Sequence, residues 1–233
     1  MEIIVIISIA ILYAIYNIWH SAAITSKNNE LIQSVTELSR GTASEQHLIL
    51  TLLQSGIHPQ AIYHDLYVAK GDGTFSQIDL VVATRVGIIV FEVKDFSGWI
   101  YGNGNQTKWT QVLAYGNEKY RFYNPIMQNN THIKKLRQQL KENVPFYSVI
   151  VFYGDSEFQD ISFIPKETFI TKWYNVINVV NAIMEENPLA NYKDKHKVVK
   201  ILREAVSNGE NLDIKIQHIK NINNMLGTDR IFR

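Results

Sequence analysis

Asp79-Leu-Val-Val-Ala-Thr-Arg-Val-Gly-Ile-Ile-Val-Phe-Glu92-Val-Lys94 sets two carboxylates and an amine among two strongly apolar, strand-like runs. Ile78 to Ala83 and Val86 to Val93 are rich in β-branched side chains, and Thr84-Arg-Val-Gly87 between them reads as a turn. Side chains alternate faces along a strand, so Glu92 and Lys94 project together while Val93 points the other way. Charges at the end of a buried strand are costly unless they bind something or each other. Asp79 opens the first run, so antiparallel pairing of the two runs carries its carboxylate toward Glu92. Two carboxylates and a lysine in one spot suit a divalent cation working on a phosphodiester.

Outward from this hairpin the chain alternates helix and strand patterns. Thr42 and Ser44 can cap a helix whose apolar stripe is Leu48, Leu52 and Leu53, ended by Gly56 and Pro59. Strands are predicted over 62–68, 99–101, 108–113, 120–123 and 148–152, with a further candidate over 161–164. Residues 126–142 read as a helix through Ile126, Ile133, Leu136 and Leu140. This order suits an α/β sandwich with a mixed central sheet. Three helical segments follow, over 174–186, 194–206 and 212–225; none carries a catalytic pattern.

At 233 residues the chain can hold one domain of common size plus extensions. A net charge of +1 gives no overall bias toward nucleic acid, so any such contact needs a local basic surface. The absence of cysteine excludes a disulfide scaffold and thiolate metal sites. Ile3 to Trp19 is a nearly unbroken apolar run with Tyr13, Tyr16 and Trp19 at its end. As a helix it extends roughly 25 Å, and it is expected to anchor the chain in a lipid bilayer. A cleaved signal peptide is the competing reading, but Glu2 stands where a positive segment belongs. Lys27 and Arg40 after the run favour N-out topology, with the body of the protein in the cytoplasm. The expected organisation is an anchor over 1–20, a linker over 21–39, a folded domain over 40–155 and a mainly helical extension over 156–233.

Asp79 followed by Glu92-Val-Lys94 resembles the D…(D/E)xK signature of the PD-(D/E)xK nuclease superfamily. Further pieces narrow the likeness to the nuclease-related domain known as NERD: Gly41-Thr-Ala-Ser-Glu45, Gln77-Ile-Asp79, Gly87 to Lys94, Gly98, Trp109-Thr-Gln111 and Asn124-Pro-Ile-Met-Gln128. The bare D…ExK pattern is common by chance; the ordered set is much more specific, and it spans roughly residues 40–155. The resemblance implies a restriction-endonuclease-like α/β/α core and a Mg²⁺-dependent nuclease, with Mn²⁺ as a substitute and DNA as substrate. It also implies that Asp79, Glu92 and the Val93 backbone carbonyl hold the metal, with Glu45 reaching the same site and Gln128 lying close to it, in contact with substrate or the attacking water.

Each residue has a plainer alternative. Asp79 could be a strand-edge carboxylate bonded to a turn, and Glu92 could pair with Lys94 or Arg85. Lys94 is read as positioning the attacking water or stabilising charge on the phosphate; its alternative is a lysine reaching solvent. For Glu45 the alternative is a first-turn acid favoured by the helix dipole, and for Gln128 a capping role beside Asn124-Pro125. Trp109 reads as core, and Gln111 as a residue of the pattern with no direct part. His47, His58 and His64 show no metal spacing. Lys134, Lys135, Arg137 and Lys141 give one helix a basic face, which is solvated or meets phosphate. A scaffold on a nuclease-like fold that binds nucleic acid without cleaving it is the alternative function.

Overall fold

The computed structural model describes residues 2–71, 73–113 and 116–226, with side chains from residue 11 to residue 220. In chain order the elements are α1 (Glu2–Gln33), α2 (Ala43–Gln54), β1 (Ile62–Ala69), β2 (Phe75–Ala83), β3 (Ile88–Asp95), β4 (Gly98–Asn103), β5 (Lys108–Leu113) and β6 (Glu118–Tyr123). There follow α3 (Pro125–Leu140), β7 (Phe146–Tyr153), β8 (Ser156–Ser162), β9 (Thr168–Lys172), α4 (Val176–Glu186), α5 (Lys195–Asn208) and α6 (Leu212–Leu226).

The main sheet has the order β1-β2-β3-β7-β9. β1, β2 and β3 pair antiparallel, whereas β3–β7 and β7–β9 pair parallel, so the sheet is mixed as expected. Central strands covered on both faces must be apolar almost throughout. β7 accordingly is buried along its whole length, and β3 from Ile88 to Glu92. Leu48 and Leu52 of α2 and Val180 of α4 pack on Leu80, Phe91 and Val149 across one face. Leu136 of α3 and Leu202 of α5 pack on Val81 and Val90 across the other. The result is three layers, α/β/α.

Three features depart from the sequence reading. A second sheet, β6-β5-β4-β8, closes a smaller core around Ile100, Trp109, Ile126 and Phe152. The alternation of short strands could not reveal it, because β4 pairs parallel with the distant β8. β9 was not expected either, and it forms one edge of the main sheet. Finally, the membrane-spanning helix expected over 3–19 is not supported. Among the described residues no helix is long and apolar enough to cross a membrane. Side chains of residues 2–10, which include the start of that run, lie outside the described ones. The apolar run continues without a break into a polar stretch, giving one 32-residue helix in place of an anchor and a separate linker.

One backbone feature shapes the site. Asp65 sits at φ 53, in the left-handed region that non-glycine residues seldom enter. Pairing between β1 and β2 skips it, running His64↔Leu80 and then Leu66↔Ile78. Across this irregularity Leu80 packs toward α2 whereas Ile78 packs toward α3, although two positions apart in a regular strand share a face. β2 therefore rotates at Asp79.

Candidate active site

The two strands that carry the acids come apart where the acids lie. β2 and β3 pair from Ala83↔Ile88 only as far as Leu80↔Phe91. Beyond that point the Asp79 side chain replaces the ladder: its Oδ2 accepts a 2.7 Å hydrogen bond from the Val93 amide. β3 continues alone along β7, with Glu92↔Ile150 and Lys94↔Phe152. The fork so formed leaves the Glu92–Lys94 segment open on one side, and Asp79 at its crotch.

Glu92 and Lys94 project toward α3, as their spacing requires. Lys94 Nζ donates to Glu92 Oε1 at 2.5 Å and to Gln128 Oε1 at 3.1 Å. Gln128 gets there because α3 starts sharply. Asn124 is fully buried; its Oδ1 caps the Ile126 amide while its Nδ2 donates to the carbonyls of Asn103, Gly104 and Gln106. Pro125 supplies a pre-set φ in the first turn. Asn124-Pro125…Gln128 is thus a device for aiming Gln128 at Lys94.

Behind Glu92 stands a residue that the sequence reading did not single out. His132 Nε2 lies 3.4 Å from Glu92 Oε2, within ion-pair range though not aligned as a hydrogen bond. Its Nδ1 is 2.9 Å from Ser76 Oγ. The signal was available, since His132 follows Gln128 by one helical turn and shares its face.

Glu45 occupies the first turn of α2. Its Oε1 accepts from Thr42 Oγ1 at 2.9 Å, and its Oε2 lies 3.0 Å from His64 Nε2. His64, fully enclosed, in turn contacts Thr36 Oγ1 at 3.0 Å. Set aside in the sequence for want of metal spacing, His64 acts as a buried partner for an acid. Trp109 is core, stacked on Phe152. Gln111 donates to the Ser97 carbonyl and to none of the clustered residues.

Electrostatics separates the two fork carboxyls. Asp79 is hemmed in by protein yet keeps part of its surface open. Burial, then the negative charges of Glu92 and Glu45, pushes its carboxyl well above the usual carboxylate range, against the pull of Lys94 and the Val93 amide. Glu92 is held below that range: burial alone would raise it, but Lys94 and His132 more than offset the effect. Glu92 Oε2 is buried without a hydrogen-bond partner, an oxygen with spare capacity. The mutual repulsion of Asp79 and Glu92 is what a cation would relieve. Among the described residues no group of three His, Cys, Asp or Glu side chains is arranged around one point. The fork fits a hard cation that keeps several waters, of the Mg²⁺ kind, better than one fully caged by protein.

The Asp65 irregularity has its own support. Arg40 donates to Asp65 Oδ2 through Nε at 3.2 Å and Nη2 at 3.1 Å, both side chains being buried. Gln77 Nε2 donates to Asp65 Oδ1 at 2.8 Å. Arg40 also reaches the Val206 carbonyl and Glu210 in the C-terminal extension.

An uncharacterized protein of Bacillus anthracis is 27% identical over 198 residues, covering 84% of this chain and 90% of its own length. No solved structure matches the chain. The family model of the nuclease-related domain matches residues 40–153, from the arginine that clasps Asp65 to the end of β7. Residues 40–153 of this chain are a nuclease-related (NERD) domain, a nuclease domain of the PD-(D/E)xK-like kind.

Proposed function

We propose that the protein is a metal-dependent nuclease that hydrolyses phosphodiester bonds of nucleic acid, with DNA as the substrate. The observation that carries this reading is the β2–β3 fork. There the Asp79 carboxylate, the Glu92 Oε2 that accepts no hydrogen bond and the Lys94 ammonium meet at an open strand end. Asp79, Glu92 and the Val93 carbonyl would hold Mg²⁺ or Mn²⁺, which supplies Lewis-acid stabilisation of charge on the phosphate.

The chain's own residues do the rest. Lys94, fixed between Glu92 and Gln128, places a positive charge beside the fork, where it orients the attacking water and stabilises charge gathering on the phosphate oxygens. Gln128 holds that ammonium in place, and its amide nitrogen can donate to substrate or water. His132, on Ser76, steadies the far oxygen of Glu92. Glu45 adds negative potential to Asp79 from α2 and so raises the demand of the site for a cation.

Cleavage of labelled single-stranded DNA, duplex DNA and RNA should be followed with Mg²⁺, Mn²⁺ or EDTA. The expected result is cleavage of DNA that EDTA abolishes. Glu92→Gln should eliminate it, and Lys94→Ala should lower the rate on the order of 10²–10⁴-fold. Cleavage that survives both substitutions would overturn the assignment. Binding without cleavage by the wild type would establish the non-catalytic alternative.

A further inference from the structure

On the same face of the sheet as Glu92 and Lys94, a cavity of about 270 Å³ opens between α3 and the turn that leads into β9. Phe146 and Ser148 of β7 form its buried floor, and Lys134, Arg137 and Lys166 stand around its mouth with Glu167. Among the described residues none of these three cations is within ion-pair distance of a carboxylate. The Arg137 guanidinium lies over the Phe146 ring, 4.9 Å from its centre. The floor is tied to α3: Asn129 Nδ2 donates to Ser148 Oγ at 2.9 Å and to the Val90 carbonyl at 2.8 Å. Three positive charges outside any ion pair, against the one carboxylate of Glu167, around a concave floor suit an anion.

Its position says which anion. Ser148 pairs with Val90, and Glu92 lies two residues further along β3 on the same face. That separation is roughly 7 Å along the strand and about 4.8 Å across. Lys134 and Arg137 follow Gln128 on α3 by about 9 and 13.5 Å of helical rise. A ligand in the cavity is too far from the fork to be the group attacked there, and close enough to be joined to it by a short length of chain.

We propose that this cavity is a phosphate subsite, built from Arg137, Lys134 and Lys166, that takes a phosphodiester flanking the one held at the fork. This placement rests on the nuclease reading, whereas the phosphate chemistry of the cavity does not. A bound phosphate would accept from the planar guanidinium at two oxygens and from the lysines as point charges. The subsite would fix the direction in which a strand crosses the sheet.

The test uses the full chain carrying Glu92→Gln, so that binding is read without cleavage, and labelled single-stranded and duplex DNA over a range of salt. Arg137→Ala and Lys166→Ala should each raise Kd about 5- to 10-fold and flatten the plot of log K against log salt by about one ion per charge removed. Lys200→Ala on α5, away from the cavity, removes the same charge and should change neither. In the wild-type background the cavity variants should raise KM more than they lower kcat. Melting with added inorganic phosphate separates the sources. Stabilisation by phosphate that Arg137→Ala abolishes, with DNA affinity untouched, would mean a free-phosphate site and would overturn the flanking-phosphodiester assignment. Cavity variants that match Lys200→Ala in every measurement while the wild type cleaves DNA would refute the subsite and leave the nuclease reading standing. A wild type that binds DNA through the cavity without cleaving it would do the reverse.

Discussion

Asp79 and Glu92 share one fork, and burial raises both carboxyls, but Lys94 and His132 reverse the effect at Glu92 alone, so their linkage to stability has opposite signs. Glu92 titrates below its unfolded value of about 4.3. Its ionised form therefore stabilises the fold above about pH 4, and that contribution is lost as pH falls through the depressed folded value. Asp79 titrates above its unfolded value of about 3.9. The fold favours its protonated form, so that contribution is present below about pH 4 and is lost as pH rises through the elevated folded value. In EDTA at pH 7, Asp79→Asn is expected to raise the melting temperature and Glu92→Gln to lower it, by about 2–4 °C per kcal/mol. The Asp79→Asn difference should shrink as pH falls toward 4, and the Glu92→Gln difference only below about pH 4. Added Mg²⁺ should stabilise the wild type and leave Asp79→Asn where it was. Equal losses from the two substitutions at pH 7 would show that the fork does not crowd its acids. The meeting of Asp79, Glu92 and Lys94 was legible because strand alternation and a hairpin turn are local rules. The role of His64 was not, since it lies nineteen residues from Glu45 and only tertiary packing joins them.

Among the elements, α3 is the one whose placement depends most on a single side chain. Asn124 satisfies a helix cap and three carbonyls of the β4–β5 turn at once. Asn124→Ala should cost about 1–3 kcal/mol in denaturant melts. It should also reduce cleavage beyond that loss of stability, because Gln128 and Lys94 lose their alignment; unchanged cleavage in the folded fraction would argue against the aiming role. Helices α2 and α3 and strands β1 to β7 were readable from cap residues, apolar periodicity and turn chemistry. β8 was only half visible. Its sequence, Ser-Glu-Phe-Gln-Asp-Ile-Ser, is mostly exposed on a sheet edge and offers no apolar run. β9 has five residues and is recognisable only through its parallel partner β7. Pairings of this kind are decided by which strand edges are left open after the core closes, and no local window contains that information.

At the scale of the whole molecule, the C-terminal extension is structural material for the NERD domain. α4 adds Val176, Val180 and Ile183 to one core, and α5 adds Val198, Leu202 and Ala205 to the other. A fragment comprising only residues 40–155 should therefore fail to give a cooperative melt, whereas one comprising residues 25–220 should melt cooperatively. The stretch 11–19 of α1 behaves differently: Ile11, Leu12, Tyr13, Ile15, Tyr16, Ile18 and Trp19 are all exposed. So much apolar surface favours association. Sedimentation should find the full chain in larger or denser particles than a chain beginning at residue 25, with DNA cleavage retained by the shorter one.

Arg40 reaches forward along the chain to the Val206 carbonyl and Glu210 as well as to Asp65. During synthesis on the ribosome every candidate catalytic side chain emerges by residue 128, long before that clasp can close. The nascent chain thus exposes a buried-type arginine–aspartate pair whose Val206 and Glu210 partners are still unmade. On the nuclease reading, competence would come late in synthesis, and a chain truncated after residue 153 would carry every candidate catalytic side chain without the C-terminal partners of Arg40.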